Sequence, residues 1–358
     1  MSASLLGSPI IQGFDFPCRC QRKSYNCKFK MSACVDNSSD RTQVVDHLLN
    51  KYVHFCRHNS PDMFTCNAPL PHLEQNTTFS VNGEEDRDED ELWLQLREEA
   101  QRDVEQEPIL ATYYICTILV HNSLEKALAT NLASKLSNST LPCNILFEVF
   151  SGVFKEDAEI RKSIRADLRA AMDRDPACIS FVHCLLNFKG FQACQAHRVA
   201  HKLWSQGRNV LALLIQNRVS EVFAMDIHPG AKIGRGILLD HATGLVIGET
   251  AVVGNNVSIL HNVTLGGTGK ESGDRHPKIG DGVLVGAGTQ ILGNVRIGEG
   301  AKIGAGSVVV KDVPAHTTAV GNPARLLGGK QNPIKLDKLP SFTMDHTSNI
   351  IEWSDYVI

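Results

Sequence analysis

Residues 279–309 read IGDGVLVGAGTQILGNVRIGEGAKIGAGSVV. Ile279, Val285, Ile291, Ile297, Ile303 and Val309 stand six apart, and Gly280, Gly286, Gly298 and Gly304 follow four of them. An unbroken period of six is the signature of a parallel β-helix, in which a short strand and a turn make one face of a triangular prism. One aliphatic side chain per face then points inward and stacks on its equivalents in the neighbouring coils. Glycine is expected at the tight corners, where positive φ is needed. Counting repeats leaves the hand of the helix open.

The period continues upstream. Ile227, Ile233 and Leu239 keep it, it shifts by two residues, and Ile247, Val253, Ile259 and Leu265 resume it. Between Leu265 and Ile279 the stretch GGTGKESGDRHPK (266–278) breaks the period and must leave the prism as a loop, a place where rigid scaffolds carry chemistry. Ahead of the prism, from Leu92 to about Phe223, apolar residues recur at three- and four-residue spacing, as in Ile160, Ile164, Leu168 and Met172. Several packed helices follow, interrupted at Pro108, Pro142 and Pro176. The longest strongly apolar stretch, Ile109 to Val120, falls short of the ~20 residues that cross a bilayer and reads as a buried helix. The fold class is α+β and multidomain: a helical region followed by a β-helix of hexapeptide repeats.

Residues 1–91 read as a leader and an acidic linker. Over residues 1–35, Arg19, Arg22, Lys23, Lys28 and Lys30 stand against a single acid, Asp15, in the manner of an organelle transit peptide, and Met31 offers a second start. The run EEDRDEDE (Glu84 to Glu91) is a solvated linker or a helix entrance. With 36 basic and 39 acidic residues the chain makes no electrostatic case for a nucleic-acid partner. All 11 cysteines lie at or before Cys194 without a C-x-x-C pair, which suits reduced, non-catalytic thiols better than a zinc site or a disulfide framework.

His228, His241, His261 and His276 fall in the prism, three of them in strings rich in polar neighbours: MDIHPGAKIG (225–234), LLDHATG (238–244) and SGDRHPKIG (272–280). Acyl transfer to an alcohol needs a base near neutral pKa, an acidic partner to orient it, and donors for the developing oxyanion. Histidine paired with aspartate fits the first two.

These strings, with GETAVV (248–253), VTLGGTGK (263–270) and the earlier RDPAC (174–178) and KGFQACQAHR (189–198), resemble serine acetyltransferases in order and separation over roughly residues 92–330. The closing MDHTS and EWSDYVI further resemble the plant members. The resemblance implies a left-handed β-helix over 226–330, an oligomerisation domain over 92–225 and a flexible tail over 331–358. It implies acetyl transfer from acetyl-CoA, the co-substrate, to L-serine, with no permanently bound cofactor or metal. His241 matches the general base and Asp226 the carboxylate that orients it. Asp175 and Asp240 match residues that hold serine, and Arg275 and His276 match residues over the same pocket. A guanidinium suits Arg275 to the serine carboxylate, and His276 could support the other side of the reacting centre. Gly267, Ala287 and Ala305 match positions along which the cofactor arm lies between subunits. Glu249 matches a motif position with no role assigned, while His228 and His261 read as structural.

The resemblance also implies a homotrimer or hexamer, L-cysteine as feedback inhibitor, and a plastid location, with the mitochondrion, or the cytosol from Met31, as alternatives. Its plant-like tail implies insertion of Ile358 into O-acetylserine (thiol) lyase. Three other functions fit parts of the pattern: an amino-sugar acetyltransferase, a β-helix carbonic anhydrase with three zinc-holding histidines from adjacent subunits, and a catalytically idle assembly protein.

Overall fold

The computed structural model describes residues 84–269 and 272–346. The basic leader with Cys18 to Cys66, and the tail with Trp353, Tyr356 and Ile358, lie outside the described residues. Helix α1 (Glu84–Gln106) begins in the acidic run. After α2 (Ala111–Tyr114) come α3 (Leu124–Leu136), α4 (Cys143–Glu156), α5 (Ala158–Arg174), α6 (Phe181–Asn187), α7 (Lys189–Ser205) and α8 (Asn209–Phe223). Their starts are capped as local chemistry dictates: Ser123, Asp157 and Ser180 accept backbone N–H groups at the starts of α3, α5 and α6. Along α5, Ile164 and Leu168 are fully buried, with Ile160 and Met172 packed at the edge of the same core.

The expectation of a buried helix over Ile109–Val120 is not met. That stretch breaks into short 3₁₀, α and π turns, and although Thr117 and Ile118 are buried, Ile109, Leu110, Tyr113 and Val120 are exposed. Pro108 opens the first of these turns.

The prism is a left-handed parallel β-helix with three faces. The first stacks β1 (Asp226–Ile227), β4 (Val246–Ile247), β7 (Thr264–Gly266), β10 (Gln290–Leu292) and β13 (Val308–Val309). The second stacks β2 (Lys232–Ile233), β5 (Val252–Val253), β8 (Lys278–Ile279) and β11 (Arg296–Ile297). The third stacks β3 (Leu238–Leu239), β6 (Ser258–Ile259), β9 (Leu284–Val285), β12 (Lys302–Ile303) and β14 (Thr318–Val320), closed by antiparallel β15 (Arg325–Leu326). The period-six aliphatics pair in register, as in Ile227↔Ile247↔Leu265↔Ile291↔Val309.

The glycines divide into two kinds, which corrects the expectation that those after the aliphatics supply positive φ. Positive φ falls instead on Gly282, Gly288, Gly300 and Gly306. At Gly280, Gly286 and Gly298 the reason is close approach: an added Cβ would lie 2.7, 2.5 and 2.3 Å from a backbone nitrogen of the next coil.

Helices and prism are clamped by a buried ion pair. Asp167 of α5 accepts from Arg198 of α7 (2.6 Å) and, through its other oxygen, from the backbone N–H of Ile237 (2.8 Å), while Arg198 donates to the Gly234 carbonyl (2.7 Å). Beyond the prism, α9 (Pro340–Thr343) folds back against α5: Arg174 stacks on Phe342 at 4.5 Å, and Ser258 donates to the Ser341 carbonyl.

Candidate active site

At the corner between the third and first faces, each coil carries one left-handed residue three positions before the inward aliphatic: Gly244, Asn262, Gly288 and Gly306. In most coils a six-residue repeat spans the turn. Between Leu239 and Ile247 the two extra residues noted in the sequence are accommodated as His241 and Ala242, both at φ +52°. Left-handed backbone at non-glycine residues costs on the order of 1–3 kcal/mol each, and such strain gathers where function needs it. The consequence is that His241 is lifted out of the prism, its side chain 76% exposed, while Ala242 is buried beneath it.

Around His241 gather several expected groups. Asp240 Oδ1 lies 3.8 Å from His241 Nε2, and the His261 ring stands edge-on to the His241 ring at 5.9 Å. Burial pushes the Asp240 carboxyl up, countered by the neighbouring His241, while the nearby Asp175 pushes it further the same way. Asp175 itself closes an Asx turn onto the Ala177 N–H (2.9 Å) at the end of α5. The seat of this corner is Gly190 at the start of α7, where an added Cβ would lie 2.0 Å from the Leu239 carbonyl oxygen.

Asp226 stands on the outer surface of the first face, opposite Val246. Its Oδ1 accepts from Gln216 of α8 at 2.6 Å, and among the described residues no hydrogen bond or ion pair joins it to His241. Sequence reasoning missed Gln216, because nothing in a helical pattern marks which polar residue faces a strand end.

Ala287 and Ala305 occupy the same corner four positions before the inward aliphatic, in one column with His261 and Thr243. At ~4.8 Å per coil, Ala305 stands roughly 14 Å along the prism from the His241 turn. The side chains of Ala287 and Ala305 are small, and the column passes the exposed His261 before it reaches the His241 turn.

A second group lies one strand away, at the corner between the first and second faces. His276 is buried, and its ring packs so tightly on Gly248 that a Cβ there would lie 2.1 Å from Nε2. Thr250, another residue the sequence did not single out, holds it. The Thr250 backbone N–H donates to His276 Nδ1 (3.2 Å), and the Thr250 hydroxyl lies 2.9 Å from the same nitrogen while accepting from the N–H groups of Arg275 and His276. A backbone N–H can only donate, so Nδ1 is an acceptor and neutral His276 carries its proton on Nε2. Burial, then the adjacent Arg275, lowers its pKa, which keeps it neutral. Arg275 donates to Glu249 (2.7 Å) and lies beside Gly267. His228 accepts the Gly230 N–H and meets Trp204 edge-on. Among the described residues no hydrogen bond or ion pair links the two corners, and no cluster of histidines, cysteines and carboxylates could hold a metal ion. The fully buried Cys194 thiol is pushed up to about 12 and is unreactive.

Comparison with known proteins bears on this arrangement. The family described as Serine acetyltransferase, N-terminal matches residues 92–196, and Bacterial transferase hexapeptide (six repeats) matches 276–311. The mitochondrial serine acetyltransferase 3 of Arabidopsis thaliana is 63% identical over 92% of this chain and 86% of its own length. The chloroplastic serine acetyltransferase 1 of the same plant is 69% identical over 78% of this chain and 90% of its own. Among solved structures, soybean serine acetyltransferase complexed with serine is 64% identical, covering 66% of this chain and 98% of that one, at TM-score 0.65. A Brucella abortus serine acetyltransferase in complex with coenzyme A is 47% identical over 70% and 100% of the two chains, at 0.67. A serine acetyltransferase in complex with cysteine is 47% identical over 72% and 98%, at 0.68.

Proposed function

The chain belongs to the serine acetyltransferase family, and from that premise we propose how its residues divide the work of moving an acetyl group from acetyl-CoA to L-serine, the entry to cysteine synthesis. His241 takes the serine hydroxyl proton as the oxygen attacks the thioester carbonyl, and returns that proton to the departing CoA sulfur. The observation that carries this role is the two-residue insertion that lifts His241 out of the prism, at the corner that also carries Ala287 and Ala305. His276 does not compete for it. With Nδ1 occupied and the proton on Nε2, it is a hydrogen-bond donor to the reacting centre.

Asp226 orients His241 once the ring is confined by substrate and a neighbouring subunit, since an exposed side chain turns freely and catalytic hydrogen bonds are commonly long before substrate binds. Asp175 and Asp240 receive the serine ammonium, and Arg275 its carboxylate. Cysteine carries the same two groups, which supports its role as a competing feedback inhibitor.

The site is shared between subunits: the corner with His241 faces the corner with Arg275, His276 and Gly267 of the next copy in a trimer. Support comes from the exposed apolar residues Val210, Leu213, Leu214 and Val222 on α8, and from the exposed Val246 paired with Asp226 on the first face. The exposed Ile109, Leu110, Tyr113 and Val120 support pairing of trimers into a hexamer through the helical region.

The DYVI terminus ends in a carboxylate on an apolar residue, which mimics O-acetylserine and supports docking of Ile358 into O-acetylserine (thiol) lyase. For the compartment, the basic leader supports organelle import. Relatives include a chloroplastic and a mitochondrial form, which supports the plastid with the mitochondrion as the alternative, and import into isolated organelles separates them.

The test of the activity is CoA release by purified protein given acetyl-CoA with L-serine or with amino sugars, with and without L-cysteine. Serine-dependent release suppressed by cysteine is expected; release with sugars alone would overturn the acceptor.

A further inference from the structure

Glu249 matches a motif position, yet nothing above gives it work. It sits in the corner turn between β4 and β5, on a prism coil whose backbone is pinned above and below, and its stem fits because the coil beneath carries Gly230, where a Cβ would lie 3.1 Å from Glu249 Cγ. From that fixed base its Oε2 receives Arg275 Nη2 at 2.7 Å. Arg275 Nη1 donates to the Gly273 carbonyl at 3.2 Å. Arg275 stands on the loop that leaves the prism after Leu265, at the end of a long stem.

One hydrogen on each Nη is thereby engaged, leaving Nε–H and the second hydrogen of each Nη for a ligand. Paired recognition of a carboxylate demands a fixed guanidinium plane. A flexible arginine would have to be ordered at the moment serine binds, and the loss would appear in affinity. Glu249 orders it beforehand. Its carboxyl, held below the usual range first by the Arg275 hydrogen bond, stays charged for the purpose.

We propose that Glu249 is a positioning residue for the transferase reaction, aiming the Arg275 guanidinium at the substrate carboxylate; this rests on the reading that Arg275 binds that carboxylate. Glu249 touches no reacting atom, so its effect should fall on the KM for serine and not on chemistry. The experiment is a double-mutant cycle on the full-length enzyme with E249A, R275A and the pair, with E249Q alongside, each checked for assembly and melting temperature.

R275A should raise the KM for serine about ten- to a hundredfold. E249A should raise it about three- to tenfold with kcat and the KM for acetyl-CoA within twofold, and E249Q, which keeps an acceptor oxygen, should recover most of that. In the R275A background E249A should do nothing further. An unchanged or lowered KM in E249A while R275A raises it, or an E249A effect undiminished without Arg275, overturns the positioning role. R275A with unchanged serine KM instead removes the Arg275 assignment, and Glu249's role with it.

Discussion

Replacing Gly190 by alanine tests whether the helical region sets the geometry of the reacting corner. The added Cβ would lie 2.0 Å from the Leu239 carbonyl oxygen and 3.0 Å from its carbonyl carbon and Cβ. Real Cβ atoms essentially never come within 3.0 Å of such a neighbour, so α7 and the end of β3 must part by about 1 Å. Both sides are anchored backbone, and no rotamer change relieves the contact. Overpacking of this kind costs about 1–3 kcal/mol, offset by up to ~1 kcal/mol from the better helix propensity of alanine. A net loss of about 1–2 kcal/mol should lower the melting temperature by only a few degrees. Activity should suffer more, because Leu239 leads directly into Asp240 and His241, and a 1 Å displacement of catalytic groups can cost ~10²-fold. Thermal melts and steady-state kcat/KM for serine on the same preparation check both halves. Wild-type activity with an unchanged melt would refute the close approach, and a large melt shift with activity retained would refute its link to the site.

Three further outcomes follow. His241→Ala should lower kcat by ~10²–10⁴ with the assembly intact, measured by CoA release; more than half of wild-type kcat would sink its role as base. His197, fully enclosed, has its pKa lowered by burial from the usual 6.5 to about 3, so its contribution to stability is present above pH 6.5 and lost as pH falls from there toward 3. Urea unfolding across that window should lose on the order of 4 kcal/mol from this group, and His197→Gln should flatten the slope. Deleting Ile358 should abolish calorimetric binding of a ten-residue tail peptide to the lyase while leaving acetyl transfer unchanged, and equal binding of both peptides would contradict the carboxylate-mimic reading.

The prism was legible because one aliphatic per six residues is a strong, local signal, interrupted between Ile227 and Val309 only by the two-residue shift after Leu239 and the loop after Leu265. The two-residue shift after Leu239 was legible as an irregularity, but its meaning, a strained turn presenting His241, depended on backbone angles that no spacing encodes. The glycine rule was half right. Positive φ and close approach both call for glycine, and sequence does not say which is at work at Gly280 or Gly288. Thr250, Gln216 and the Glu249 contact were invisible because each acts across coils or from helix to strand. Ile109–Val120 read as buried from composition alone, whereas in a single chain half its apolar side chains face outward, as a surface covered only by another copy would.

The division of the site between two corners, one bearing His241 and the other Arg275 and His276, is tested most directly by mixing subunits. H241A and R275A chains, each nearly inactive alone when assayed at serine well below the wild-type KM, are unfolded together and refolded as mixed trimers. If each site takes one corner from each of two neighbours, both corners are intact in about one quarter of sites, and the mixture should regain about that share of wild-type serine-dependent CoA release. If instead a single chain supplies both corners, every site carries a lesion, and a mixture no more active than its parents would contradict the shared site.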